Sequence, residues 1–136
     1  MEQTKAFLEA NPVGKFATIR KGWIAQRPFK FVKAMEDKFI FITANNKEVY
    51  QDLQETPTAS FISMGEDGKW LRLSGAVQFS DSMELKEELL NGDPMIKGVY
   101  KSADNPVLEV FCIYKGQATL KTGMGQDIED IQFGME

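Results

Sequence analysis

The chain has 136 residues, of which 43% are hydrophobic and 11% aromatic, and its 16 Lys and Arg against 20 Asp and Glu give a net charge of −4. This length and apolar content suit one globular domain over residues 1–136 and exclude a disordered or fibrous chain. The mixed, slightly negative charge argues against a nucleic-acid partner, because phosphate backbones require a basic surface.

Cysteine and histidine usage narrows the chemistry further. The one Cys, Cys112, stands in the apolar run Val110–Ile113, which predicts a buried core thiol and not a nucleophile. The sequence has no His, so Ser–His–Asp and Cys–His catalysis and His-based metal sites are excluded, and we expect no metal. Any difficult chemistry should therefore belong to a bound cofactor.

The distribution of apolar residues predicts the cellular location of the protein. No apolar run reaches the roughly 18–20 residues that span a bilayer, and the first residues contain no signal-peptide stretch. We therefore expect a soluble cytoplasmic protein without a membrane partner.

Short strands and helices follow one another along the chain. In order, periodicity and turn residues predict a helix over Thr4–Ala10, strands Lys15–Arg20, Trp23–Met35 and Phe39–Thr43, a helix over Asn45–Leu53, strands Thr58–Met64 and Trp70–Phe79, a helix through Leu85–Leu90, a short helix from Pro94, and strands Val107–Leu120 and Ile128–Phe133.

Three residues refine these elements. Pro28 cannot donate to a sheet, so its part of the strand should be an edge, a bulge or a bend. Asn45, with Glu48 three residues later, predicts a capping box for the second helix, whose apolar stripe is Val49, Tyr50 and Leu53.

Tight turns join most of the predicted strands, so the sheet should be mainly antiparallel. A closed or nearly closed barrel is an economical way to hide so many strand edges. The sequence therefore predicts a mainly β fold with short helices, in which six or seven antiparallel strands form a barrel.

A polar cluster at the second and third strands is the first candidate site. Arg27 lies on one strand, and the turn Thr43–Lys47 joins its hairpin partner to a helix. The helix N-terminus offers unpaired N–H groups, and Arg27, Thr43 and Lys47 add a planar cation, a hydroxyl and an ammonium, which together suit a phosphate. The alternative is a solvated Arg beside an ordinary helix cap and a surface Lys.

The strand Trp70–Phe79 carries the second candidate. Trp70 and Arg72 lie on its more polar face, so a stacking surface and a cation project together. The alternative is a Trp at the edge of the core beside a surface Arg. Gly75, in the same strand, indicates close approach of another backbone or a ligand, or a bulge.

Taken in order, these motifs resemble the FMN-binding split-barrel family that includes pyridoxamine 5′-phosphate oxidase. The resemblance covers about residues 5–122 and rests on Phe16-Ala17-Thr18-Ile19, Arg27-Pro28-Phe29, Phe41-Ile42-Thr43, Lys47, Val49-Tyr50, Thr56-Pro57, Trp70-Leu71-Arg72-Leu73-Ser74-Gly75-Ala76, Asp93-Pro94, Tyr100, Asn105-Pro106-Val107-Leu108 and Phe111. It implies a split barrel of six strands that forms a homodimer, with two flavin sites across the subunit interface.

The resemblance also implies residue roles. Arg27, Thr43 and Lys47 would hold the flavin phosphate, and backbone of Phe29 and of Phe41–Thr43 would line the ring. Trp70 and Arg72 would reach the site from the other subunit. No catalytic residue is identified. The expected cofactor-binding residues are Arg27, Pro28, Phe29, Phe41, Ile42, Thr43, Asn46, Lys47, Trp70 and Arg72.

Departures from the family pattern narrow the set of reactions that the protein is expected to catalyse. The oxidase carries an Arg and His pair in its C-terminal portion and the heme-degrading relatives also use His, whereas this chain has none. FMN is the expected cofactor, and a deazaflavin coenzyme is the alternative because its phosphate site is similar. The expected function is flavin-dependent reduction of a small molecule. The alternatives are a non-catalytic FMN-binding, storage or sensor protein, favoured by the lack of an obvious proton donor, and a ligand-free structural barrel.

Overall fold

An open antiparallel sheet organises the chain in the computed structural model, which describes residues 1–134. Within those residues the strand order is β2-β1-β5-β6-β7-β4-β3, with β8 added beside β7. The elements are α1 (Glu2–Ala10), β1 (Val13–Arg20), β2 (Trp23–Lys30), β3 (Lys33–Met35), β4 (Lys38–Ala44), α2 (Glu48–Glu55), β5 (Thr58–Met64), β6 (Trp70–Ser80), α3 (Met83–Gly92), α4 (Pro94–Tyr100), β7 (Leu108–Lys121) and β8 (Asp127–Phe133).

The predicted antiparallel β fold with short helices is confirmed, with two corrections. The described residues form eight strands instead of six or seven, because the predicted strand Trp23–Met35 is two strands. The sheet is also not closed: its edge strands, β2 and β3, share no ladder in the described chain.

The break between β2 and β3 lies at Phe31 and Val32. Phe31 N–H donates to Pro12 O at 2.8 Å beside β1, whereas Val32 N–H donates to Ile40 O in β4 at 3.1 Å. Two consecutive residues therefore bond to opposite edges of the sheet, which one straight strand cannot do. Pro28 lies in β2, which pairs only with β1, so the predicted edge position is confirmed.

The two halves of the sheet meet on β7. Its first half, Leu108–Ile113, pairs with β4, and its second half, Gly116–Lys121, pairs with β8. Strand β6 runs along the other edge of β7 over both halves. In the described residues, β7 is therefore the strand that joins the group β2-β1-β5-β6 to the group β4-β3 by backbone hydrogen bonds.

Phenylalanine rings fill the space enclosed by the sheet. Phe41 and Phe111 stack with centroids 5.6 Å apart and an interplanar angle of 15°, and Phe16 meets Phe41 edge-on at 5.2 Å. All three side chains are buried. Such pairs are stabilising beyond their buried area, so this cluster is the core of the fold. Because the Phe41 side chain belongs to the core, only its backbone is available to a ligand.

Two glycines allow β6 and β7 to approach each other closely. Gly75 and Gly116 are register partners. A Cβ on Gly75 would lie 2.0 Å from Lys115 O, and one on Gly116 would lie 1.9 Å from Ser74 O. The prediction that Gly75 marks the close approach of another backbone is confirmed.

The four helices of the described residues are short, with seven to ten residues each. No helix within residues 1–134 combines the length and apolarity needed to cross a membrane. Helix α2 buries Val49, Asp52 and Leu53. Tyr50, predicted for that apolar stripe, is instead half-buried with its ring against Phe79.

Candidate functional site

The opening in the sheet forms a cleft between β2 and the second half of β4. Within residues 1–134, strand β3 pairs only with Lys38–Ile40, so the rest of β4 is bonded to β7 on one side and has no strand partner on the other. A cleft of about 460 Å³ lies at this open edge, within the range of about 300–1,000 Å³ typical of small-molecule sites. It is lined by Arg27, Pro28, Phe29, Ile42, Thr43, Ala44, Lys47, Glu48, Val49 and Tyr100.

Most of the predicted cofactor-binding residues come together here, but their strands are not the predicted hairpin partners, since β2 pairs with β1 and β4 pairs with β3 and β7. The predicted residues that line the cleft are Arg27, Pro28, Phe29, Ile42, Thr43 and Lys47. The other four do not line it: the Phe41 side chain is in the core, Asn46 is exposed on the turn before α2, and Trp70 and Arg72 lie on β6.

Helix α2 begins at the edge of the cleft without a side-chain cap. Its N-cap residue is Lys47, and no side chain accepts from its first turn. The predicted Asn45 cap is wrong, because α2 begins at Glu48 with Lys47 as its N-cap, and Asn45 Nδ2 donates to Pro106 O at 2.8 Å and to Glu109 Oε2 at 3.0 Å. The first N–H groups of α2 are thus left for solvent or an anion. Glu48, the first residue of α2, also lines the cleft, and Arg20 Nη1 neutralises it at 2.7 Å.

The guanidinium of Arg27 is held from inside the fold. Its Nη1 donates to Thr18 Oγ1 at 2.8 Å and to Phe16 O at 3.2 Å, and its Nη2 donates to Asp52 Oδ2 at 3.2 Å. Asp52 Oδ2 also accepts from Thr18 Oγ1 at 2.7 Å. Arg27 is therefore a cleft residue with a fixed orientation and not a solvated surface cation.

Asp52 is the functional candidate that the sequence analysis missed. Its carboxylate is 4% exposed and accepts from Arg20 Nε and Nη2, each at 2.9 Å. The hydrogen bond from Arg20 lowers the pKa of this carboxyl against the opposing effect of burial, and Thr18 and Arg27 lower it further. The sequence did contain a sign of this role: Asp52 lies three residues after Val49, on the buried stripe of an amphipathic helix, where a carboxylate is unusual.

A second, more apolar cleft adjoins the first. It has a volume of about 260 Å³, and the two clefts share Phe29, Ile42 and Tyr100. Helix α4 supplies much of its wall, including Met95 and Val99. Burial raises the pKa of the Tyr100 hydroxyl, so this phenol stays protonated at neutral pH where the clefts meet.

Trp70 and Arg72 lie on the outer face of the sheet. The Arg72 guanidinium carbon is 5.3 Å from the centroid of the Trp70 ring, a cation–π contact. The same face carries a broad hollow of about 590 Å³ formed by β1, β2 and β5 to β8. Ile24 lines this hollow and is 75% exposed.

Cys112 is buried, as predicted. Burial raises the pKa of its thiol, so it is not a thiolate at neutral pH. It plays no part in the cleft between β2 and β4.

Comparison with known protein families gives a match over most of the chain. The family model described as pyridoxamine 5′-phosphate oxidase matches residues 1–113. No curated protein shows significant similarity to this chain.

Comparison with solved structures gives similar folds. A NimC/NimA family protein from Clostridium acetobutylicum has 29% identity and a TM-score of 0.85, and the alignment covers 98% of this chain and 90% of that one. An FMN-binding, pyridoxamine 5′-phosphate oxidase-related protein from Nostoc punctiforme has 18% identity and a TM-score of 0.64, with 96% and 84% covered. A heme-binding protein from Mycobacterium smegmatis has 15% identity and a TM-score of 0.78, with 96% and 57% covered.

Proposed function

This chain belongs to the pyridoxamine 5′-phosphate oxidase family, and on that premise we propose that it binds FMN in the cleft between β2 and β4 and reduces a small organic molecule. One observation carries the proposal: Arg27, Thr43 and Lys47 line a single cleft beside the uncapped start of α2. A guanidinium, an ammonium and free helix N–H groups are the donors that a phosphate prefers.

The composition of the clefts fits the two ends of FMN. The polar end offers cations to a phosphate, while Phe29 and Ile42 give apolar walls where the larger cleft meets the smaller one. The open edge of β4 leaves backbone N–H and C=O groups, which suit the polar edge of a flavin ring. A deazaflavin coenzyme, with a similar phosphate, is the competing ligand.

FMN, when bound, supplies hydride and single-electron transfer between a donor and an acceptor. Arg27 and Lys47 would hold and neutralise the phosphate of a bound FMN. Tyr100 lines both clefts, and burial raises the pKa of its phenol, so this group is a neutral hydrogen-bond donor to a bound molecule and not a general acid. A donor placed beside the cleft favours an enzyme over a storage protein, because it can orient an acceptor molecule.

The apolar second cleft indicates the substrate class. Met95, Val99 and Val32 favour a flat, largely apolar acceptor such as a quinone or nitro compound. Oxidation of pyridoxamine phosphate is disfavoured because the chain contains no His to replace that of the oxidase.

We expect the purified protein to bind FMN more tightly than riboflavin by at least tenfold, because riboflavin lacks the phosphate that the cations would hold. Fluorescence titration with each ligand, and with a deazaflavin coenzyme, measures this. Assays with NADH or NADPH and a panel of quinones and nitro compounds then test turnover. Equal affinity for FMN and riboflavin would contradict the phosphate assignment, and tight FMN without turnover would favour storage or sensing.

We infer further that the outer face pairs with a second copy of this chain. Its hollow and the exposed Ile24 form an apolar surface of the kind that monomers rarely leave uncovered. The family resemblance implies the same homodimer. Such packing explains why Trp70 and Arg72 stand outside the cleft of their own chain, since in a dimer they would approach the cleft of the partner.

Ile24→Asp should convert the dimer into a monomer of 15.4 kDa, because a buried unpaired carboxylate opposes association. Sedimentation analysis measures the mass. Met124→Asp is the matched control, since Met124 is 91% exposed in the turn between β7 and β8. A wild-type protein that sediments as a monomer, or an Ile24→Asp variant that stays dimeric, would show that this face is not the interface.

A further inference from the structure

The two arginines that contact Asp52 are bound in different ways. All three guanidinium nitrogens of Arg20 contact a carboxylate: Nε and Nη2 donate to Asp52 at 2.9 Å, and Nη1 pairs with Glu48 Oε2 at 2.7 Å. Arg20 therefore has its charge neutralised by two carboxylates. It does not line the cleft between β2 and β4, whose lining includes Arg27.

Arg27 is engaged on one side only. Both hydrogens of Nη1 are used by Thr18 Oγ1 and Phe16 O, and one hydrogen of Nη2 is used by Asp52. A guanidinium has five N–H donors, so Nε–H and one Nη2 hydrogen have no acceptor within residues 1–134. Nε and Nη2 together form one edge of the fork that binds two oxygens of a phosphate.

We propose that Asp52 is a positioning residue, which holds Arg27 through its own Oδ2 and through Thr18 so that the Nε–Nη2 edge is left for the ligand phosphate. This inference rests on the proposed function, in which the cleft binds a phosphate. Asp52 is suited to the role because it is buried and oriented by the bidentate contact with Arg20. A long Arg side chain without such contacts would lose rotamer entropy on binding the ligand.

Asp52→Asn tests the proposal, because it keeps the shape of the side chain and removes its charge. We expect the Kd for FMN to rise about tenfold, as for loss of one charge-assisted contact, while the Kd for riboflavin changes less than about twofold. In an Arg27→Ala background, the same substitution should have no further effect on FMN binding. Glu88→Gln is the control, since it removes one carboxylate from an exposed ion pair with Lys33.

Thr18→Val provides a second test that leaves the Asp52–Arg20 pair in place. It removes the hydroxyl between Arg27 and Asp52 and should weaken FMN binding about threefold without changing riboflavin binding. If Asp52→Asn does not fold, Thr18→Val still tests whether the contacts of Arg27 inside the fold position it for the phosphate.

The outcomes separate this inference from the proposed function. Unchanged or tighter FMN binding by Asp52→Asn, an equal loss for FMN and riboflavin, or an additive loss in the Arg27→Ala background would overturn the positioning role. A wild-type protein that does not prefer FMN to riboflavin would instead contradict the phosphate site itself.

Discussion

Replacing Arg27 and Lys47 together by Ala should weaken FMN binding by about 3–6 kcal/mol, which is on the order of 10²- to 10⁴-fold in Kd. Each side chain is expected to make a charge-assisted contact with the phosphate, through the Nε–Nη2 edge of Arg27 and the ammonium of Lys47, and each contact contributes at least about 1.5–3 kcal/mol. The two effects should add where the residues contact different phosphate oxygens. Fluorescence titration measures FMN and riboflavin in parallel, and riboflavin affinity should stay nearly constant.

The matched control for this variant is Lys86→Ala with Lys97→Ala. It removes the same two positive charges from α3 and α4, outside the cleft between β2 and β4. Its FMN affinity should equal that of the wild type, which excludes a general effect of net charge. Lys47→Ala alone leaves the Arg27–Asp52 contact intact, so it distinguishes a lost phosphate contact from a disturbed fold. Wild-type affinity in the double variant would mean that the phosphate binds elsewhere.

Gly116→Ala should destabilise the fold by about 3 kcal/mol or more, at or above the upper end of the usual 1–3 kcal/mol for overpacking. The added Cβ would lie 1.9 Å from Ser74 O and 2.7 Å from Gly75 Cα, so the backbones of β6 and β7 would have to separate. Backbone in the middle of a sheet cannot rotate aside as a flexible side chain does. Urea denaturation measures the change in the free energy of unfolding.

Gly98→Ala is the control for the glycine experiment. Gly98 lies within α4, and a Cβ there meets nothing within 4 Å. Because Ala has the higher helix propensity, this variant should be unchanged or more stable by about 0.5–1 kcal/mol. If Gly116→Ala unfolds at the same urea concentration as the wild type, β6 and β7 do not pack as closely as described.

Local sequence signals were enough to predict the strands and most of the cleft. Strand periodicity and turns indicated an antiparallel β fold, and the edge position of Pro28 followed from its missing N–H. The gathering of Arg27, Thr43 and Lys47 followed from family resemblance, whereas the predicted hairpin between their strands is wrong, because β2 pairs with β1 and β4 pairs with β3 and β7. The strand and edge predictions depend on residues that are near one another in the chain.

The features that could not be predicted depend on partners far away in the sequence. The break at Phe31 and Val32 arises because one residue bonds to Pro12 and the next to Ile40. Asn45, expected to cap α2, instead lies before the N-cap residue Lys47 and donates to Glu109, 64 residues away. Asp52 is identifiable as a site residue only once Arg20 and Arg27 are known to meet it. Tertiary contacts of this kind override local propensity.

The place of β7 in the sheet also determines when the cleft can form. The strand groups β2-β1-β5-β6 and β4-β3 are joined in one sheet only when β7 (Leu108–Lys121) pairs with both. One wall of the cleft is formed by β2 from the first group and the other by β4 from the second. On a ribosome, which makes the chain from its N-terminus, the earlier strands can pair only within their own groups. Closing such distant pairs makes folding slow, because loop entropy is lost before the contacts are gained. The cleft between β2 and β4 is therefore a late product of folding, and a ligand bound in it can stabilise the protein only after β7 is in place.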